Sequence, residues 1–287
     1  LLTPMTAAYA LAAIGIAMHF GFTGLLNFGQ AAYMLVGAYA FAMANLAGLG
    51  LVPAILLSFA ASIVLSLILG IPTLRLRSDY LAIVTIAAAE ILRFIVSTTG
   101  LNDVTGGPQG LSGFAKEFYD LNPFPVGEYG FWAWTMDEKG LWVRVVAWSL
   151  VIVGALFVAQ MIRSPWGRVI KGIREDEDAV RSLGKNVFSY KLQSMIVGGS
   201  IASLGGMVFV MSSQTNQPSN WGTNFTFMLW TILLLGGAAT ILGPIVGGMV
   251  FFGLLMFLQS IMEGLVNMGW LPFLDIAQVG QIRFLLV

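Results

Sequence analysis

Long apolar runs separated by short polar breaks dominate this chain. A bilayer core takes about 20 mostly apolar residues per helix. That length places spans at roughly 4–20, 25–47, 51–72, 79–99, 141–162, 188–212, 225–242 and 244–262, with a partial one from about 276. The pattern predicts an all-α polytopic transmembrane helix bundle, a single domain over 1–287, with about 8–10 spans in the full protein. The run 25–47 is irregular, because it carries Asn27, Gln30 and several small residues, and part of it is expected to be broken or buried within the bundle.

Two polar stretches interrupt the hydrophobic pattern. The first, 100–140, carries Asp103, Glu117, Asp120, Glu128, Asp137 and Glu138 against Lys116 and Lys139. The second, Arg163–Lys191, is a compact mixed-charge segment. Together with Arg75 and Arg77 it holds nine of the 14 Lys and Arg residues. Positive-inside bias assigns 75–77 and 163–191 to the cytoplasm and 100–140 to the outside. Span parity agrees. It puts Phe20–Gly24 and the expected tight turn Leu242–Pro244 inside, and 48–50, 213–224 and 264–275 outside. Trp132, Trp134, Trp142, Trp221 and Trp270 then fall near the outer boundary, as an aromatic belt would. Leu1 also falls outside and both ends look trimmed, which leads us to expect a further helix upstream.

Within Arg163–Lys191, Ser164-Pro165 reads as a hydroxyl N-cap with Pro at the first helical position. A short helix to about Gly172 is expected. Asp176, Glu177 and Asp178 then place carboxylates at the positive end of a second helix, Arg181 sits in its last turn, and Gly184 fits the left-handed position that ends it. Two readings stand: a basic loop against lipid headgroups, or a docking element gripped by a protein outside the membrane. Gly184-Lys185-Asn186 is no phosphate loop, since Asn replaces Ser/Thr and Ala179 stands where the first Gly belongs.

Composition narrows the chemistry. The chain is 57% hydrophobic and 10% charged, against about 25% charged in a soluble domain, so lipid must be a partner over much of its surface. Formal net charge is zero, which suggests no nucleic-acid partner. There is no cysteine and one histidine, so neither a thiol nucleophile nor a metal cluster is expected. His19 reads as an interfacial side chain. The 34 glycines fit close helix packing; Gly198-Gly199, Gly205-Gly206, Gly236-Gly237, Gly243 and Gly247-Gly248 are the candidate contact surfaces.

Four residues stand out inside the spans. Glu90 and Arg93 lie three apart, hence on one helical face. They read either as a structural ion pair or as part of a pathway or gate, since ionisable groups at bilayer depth are costly. Asn27 and Gln30 either hydrogen-bond between helices or line a polar route. Thr105-Gly106-Gly107-Pro108 reads as a tight turn, with docking or an outer gate as its functional alternative.

These segments resemble the permease subunits of branched-chain amino-acid ABC transporters, LivM type. Gly21–Ala32 is similar to that family's GYTGLLNLGHAA. Leu74–Thr85 is similar to LRLRGDYLAIVT, with Glu90 and Arg93 at its GEIIR. Thr105–Leu111 resembles LTGGPNGL, with Val104 and Gln109 as departures. Gly167–Gly184 resembles GRALRAIREDEIAARALG, and Leu235–Pro244 is a weaker match. The resemblance implies a non-catalytic translocation subunit in a bacterial inner membrane, paired with a homologous second permease. Two cytoplasmic ATPase subunits carrying ATP and Mg, and a periplasmic solute-binding protein, complete the implied assembly. No cofactor is expected on this chain. Gly167, Arg168, Arg174, Glu175, Asp176, Glu177, Asp178, Ala179 and Gly184 would couple to the ATPases; Thr105–Pro108 would face the binding protein. Urea and short-amide importers have similar permeases. Ala87–Ala89 and Gln30 depart from many relatives, so the solute stays open. An ion-coupled secondary carrier would use Glu90 as its titratable group and leave the capped segment without a purpose. An intramembrane enzyme lacks a nucleophile–base constellation.

Overall fold

The computed structural model describes residues 2–76, 78–131 and 134–267. In chain order the helices and strands are α1 (Pro4–Ile16), α2 (Gln30–Leu46), α3 (Leu51–Thr73), α4 (Ser78–Val96), α5 (Asn102–Thr105), β1 (Leu111–Ser112), α6 (Lys116–Asp120), β2 (Glu128–Phe131), β3 (Trp134–Asp137), α7 (Glu138–Arg163), α8 (Pro165–Glu175), α9 (Glu177–Ser182), α10 (Val187–Ser213), β4 (Thr215–Asn216), α11 (Thr223–Gly236) and α12 (Gly243–Asn267). The fold is an all-α membrane helix bundle with two small antiparallel ribbons, β1–β4 and β2–β3, at one end. Among the described residues five helices are long and apolar enough to cross a membrane, or six counting the bent pair at 79–105.

Local signals set the helix starts. Thr3 accepts a bond from the Thr6 N–H at 3.1 Å, with Pro4 first in α1. Asp137 caps α7 and Asn186 caps α10 in the same manner. α1 does not stop at Ile16; it widens into a π-helix over Ala17–Phe22. The chain then unwinds through Thr23–Gly29 before α2 begins. The apolar run expected at 25–47 is therefore a helix from Gln30 preceded by an unwound segment, in which Thr23 also bonds to Ser194 of α10 and Asn27 to His19 of the π-helix. The run expected at 225–242 also shortens: α11 ends at Gly236, and the turn occupies 237–242 ahead of Gly243.

α1 and α10 form the centre. Of their span positions 89% and 78% are buried, against 22% for α12. They run antiparallel in close contact: a side chain at Gly15 or Gly198 would strike the other's carbonyl, and one at Gly205 would meet the Ala8 carbonyl. Gly206 lies as tightly against Met34 of α2, and Gly236 against Gly243 and Gly247. Small residues in these places let backbones approach where no hydrophobic force drives helices together. α3 adds a polar stripe facing inward. Ser58 donates to the Gly37 carbonyl at 2.9 Å, and Ser66 donates to the Met195 carbonyl at 3.3 Å. The outer faces of α3 and α7 expose Val52, Leu56, Ile68, Ile152, Val153 and Leu156, as lipid-facing surfaces do.

The bundle has two distinct ends. The carboxy end of α7, the amino end of α10, Arg75 and the unwound Thr23–Gly24 meet at a basic end. At the acidic end, β1 pairs with β4 and the Tyr119 hydroxyl donates to the Met211 carbonyl at 2.8 Å, fixing the 97–137 connection onto α10. That connection is not a plain loop, since it contains α5, α6 and a hairpin. Trp221 departs from the aromatic-belt expectation. It is 1% exposed, donates to the Asn216 side chain at 2.9 Å and packs on Phe209. Trp142 is half-buried and donates to the Phe118 carbonyl. Arg77, Trp132, Trp270 and the partial span from about 276 lie outside the described residues.

Candidate functional site

At the basic end the expected pair of helices is present. The Ser164 hydroxyl sits within 3.4 Å of the Gly167 N–H at the start of α8, and Asp176 caps α9 by accepting from the Ala179 N–H at 3.0 Å. α8 runs three residues beyond Gly172, to Glu175, because Gly172 lies flat against Val180 and gives no reason to stop there. Gly184 takes φ +76° with open space around it, so its requirement is conformational only.

The inward face of this element is apolar. Ile170 and Ile173 of α8 are buried, and Ile173 clusters with Val180 of α9 and Val187 of α10. Gly167 is buried against Ile162 and fits α8 to the end of α7. Arg174 donates to the carbonyl of Gly21, tying α8 to the π-helical end of α1. Glu177 accepts from Lys191 of α10 and from Arg181, which also reaches Asp178 at 2.7 Å. The exposed Arg181 pairs contribute little each, so the apolar cluster, helped by the part-buried Lys191–Glu177 pair, carries most of the docking onto the bundle. The outward face presents Arg168, Glu175, Asp178, Ala179 and Leu183 to solvent. Leu183, 78% exposed at a polar end of the molecule, was not among the candidates. An apolar residue beside Gly184 was its only signal in the sequence.

The second constellation is the unwound segment. His19 is fully buried, contrary to the expected interfacial position, because the π-turn aims it at α10. Its Nε2 lies 3.1 Å from the Met195 carbonyl and its Nδ1 lies 3.1 Å from the Asn27 amide nitrogen. A carbonyl only accepts, so Nε2 carries the proton and Nδ1 accepts from Asn27. Asn27 in turn takes the Gly29 N–H at 2.8 Å. Thr23 pairs with Ser194 at 2.6 Å, and the Phe28 N–H donates to Thr85 of α4 at 3.0 Å. The Gln30 amide nitrogen donates to the Ala12 carbonyl at 3.0 Å, while its oxygen is buried without a partner among the described residues. The broken backbone is thus partly satisfied by side chains inside protein, one of the two settings in which irregular chain is tolerated at membrane depth. Asn27 and Gln30 sit in this network; His19, Thr23 and Ser194 were not foreseen there, since their partners come from a helix far along the chain.

Glu90 and Arg93 are brought together, with Arg93 Nε and Nη2 on Glu90 Oε2 at 2.8 and 2.7 Å. Glu90 Oε1 accepts from Thr223 at the start of α11. The pair borders a cavity of about 490 Å³ shared with Ser219, Asn220, Asn224, Phe225 and Met228. Thr105 to Pro108 lie apart from both constellations, at the acidic end. Thr105 donates to the Val96 and Leu101 carbonyls, and Gly106 takes φ +73° against the Gly110 carbonyl, so the expected turn is present.

A multi-pass helical membrane protein with a helix pair packed on one end and a charged pair bordering a groove between helices has the build of a transport subunit. The family model described as the permease component of the branched-chain amino acid transport system matches residues 2–268, and the chain belongs to that family. It is similar to the high-affinity branched-chain amino acid transport system permease protein LivM of Salmonella typhimurium, with 30% identity over 244 residues, 81% of this chain and 57% of the relative. The Escherichia coli LivM is 29% identical over the same lengths. A probable LivM from Methanocaldococcus jannaschii is 27% identical over 278 residues, 83% of this chain and 75% of that protein. The chain spans 57% of the length of the two bacterial relatives.

Proposed function

We propose that this chain is the membrane-spanning permease subunit of an ATP-driven importer of branched-chain amino acids. Its basic end faces the cytoplasm of a bacterial inner membrane, where basic residues accumulate beside membrane spans. A homologous second permease supplies the other half of the route. Two ATPase subunits bind and hydrolyse ATP with Mg on their own chains, and a periplasmic binding protein delivers the solute to the acidic end, where Thr105–Pro108 lie. The chain itself performs no covalent chemistry.

The observation that carries this reading is the α8–α9 element. Its inner face is fastened to α7, α10 and the end of α1, while Arg168, Glu175, Asp178, Ala179 and Leu183 remain outward. Force applied to the outer face reaches both central helices. The ATPases supply free energy only by binding the two permease states differently, and this surface is where that difference acts. Co-purification from native membranes tests the assembly. Wild type should bring down ATPase subunits and a second permease, and Asp178→Tyr and Leu183→Glu should lose the ATPases while staying monodisperse. Full ATPase recovery and uptake in both variants would sink the assignment.

A further inference from the structure

The outward faces of the bundle are not equivalent. That of α3 is apolar along its length and that of α7 is apolar through Ile152, Val153, Leu156 and Phe157, whereas the face between α4 and α11 carries Glu90 and Arg93, each about one quarter exposed. Glu90 precedes the end of α4 by six residues, about 9 Å at ~1.5 Å per residue. Ionisable groups within spans almost always face the bundle interior or a water-filled cavity. Water, or another protein, must cover them.

The groove between these helices is built of contrasting parts. Arg93 commits Nε and Nη2 to Glu90, and its guanidinium lies 4.7 Å from the Phe94 ring centroid. Asn220 and Asn224 add amides, and Phe225 and Met228 add an apolar side. Below it, toward the basic end, the polar character stops. Phe28 of the unwound segment stacks on Trp230 of α11, with centroids 4.6 Å apart and planes 12° from parallel. Phe20 and Phe227 flank the stack. The Trp230 indole N–H is buried there with no acceptor among the described residues, although the side chain is only 7% exposed.

We infer that the α4–α11 face is this chain's wall of the translocation route, with the Glu90–Arg93 groove a subsite for a small zwitterion and the Phe28–Trp230 stack its closed floor. A carboxylate meets Arg93, an ammonium meets Glu90, and an aliphatic side chain lies on Phe225 and Met228. The homologous permease closes the opposite side. This rests on the importer reading above, and the test keeps the two apart.

The chain has no cysteine, so single cysteines report cleanly in an importer whose other subunits are also cysteine-free. Asn220→Cys, Asn224→Cys and Met228→Cys probe the groove; Ile152→Cys and Leu156→Cys probe the α7 face. With the assembled importer in liposomes, a water-soluble charged thiol reagent should label the groove positions at least about tenfold faster than the α7 positions, equal to ~1.4 kcal/mol in relative barrier. Leucine-loaded binding protein with ATP should slow that labelling. Trp230→Ala should raise ATP-independent leucine leak from loaded vesicles by a similar factor. If wild type shows no ATP-driven uptake, the importer reading fails. If wild type transports but groove and α7 cysteines label alike, or substrate gives no protection, the route is elsewhere. Unchanged leak in Trp230→Ala removes the floor.

Discussion

Ile173→Ala separates the two jobs of the α8–α9 element. Ile173 is 4% exposed and forms, with Val180 and Val187, a small cluster apart from the main core. Removing a buried isoleucine side chain costs about 2–5 kcal/mol in a large core. This cluster lies at the rim and can partly refill, so about 2–3 kcal/mol is the appropriate part of that range. Because the cluster bridges α8, α9 and the start of α10, the loss should appear as local opening rather than global unfolding. At 1.4 kcal/mol per factor of ten, amide exchange within 165–183 should accelerate by roughly 30- to 150-fold. Amides of α1 and the middle of α10 should keep their protection. Hydrogen–deuterium exchange with mass spectrometry in lipid nanodiscs measures both. Leu183→Ala is the counterpart: its side chain touches solvent, so exchange should stay within about twofold of wild type while ATPase binding falls. Uniform acceleration across the bundle, or none in α8, would refute the idea that this cluster carries most of the fastening.

Asn27→Leu should lower the thermal midpoint in detergent, since it strands His19 Nδ1 and the Gly29 N–H; each buried unpaired group costs about 1–3 kcal/mol. Gly198→Val should abolish the monodisperse peak in fluorescence-detected size exclusion, because a side chain there collides with His19 and the Gly15 carbonyl. Gly184→Ala meets no neighbour and should cost only about 1–2 kcal/mol of left-handed backbone strain, read as faster exchange confined to the end of α9. Arg174→Ala should raise exchange at α8 through loss of the bond to Gly21, by roughly tenfold or more for a charged hydrogen bond worth about 1.5–3 kcal/mol.

Hydropathy located the helices because lipid imposes the same demand on each span, whatever its neighbours. Capping chemistry located α8 and α9 because Ser164, Asp176 and Gly184 act within one or two turns of themselves. What stayed hidden depends on partners distant in sequence. His19 looked like an interfacial residue until α10 supplied the Met195 carbonyl 176 residues away. Trp221 looked like a belt residue until Asn216 and Phe209 enclosed it. Asn27 and Gln30 marked the break, but their spacing could not show that α1 widens into a π-helix first. Glu90 and Arg93 were legible as a pair from a three-residue spacing, whereas Thr223, on another helix, was not.

The contact between His19 and Met195 also sets a timetable for biogenesis. The two residues are separated by 176 positions, and synthesis proceeds at about 5–20 residues per second. α1 therefore leaves the ribosome roughly 9–35 s before the helix that satisfies it. During that interval His19, Thr23 and the unwound backbone face lipid or the insertion apparatus without their final partners. α1, with 89% of its span buried, thus waits through the synthesis of α2 to α9 for its main partner. Stalling or truncating synthesis between α1 and α10 would expose that waiting polar surface to quality-control proteases.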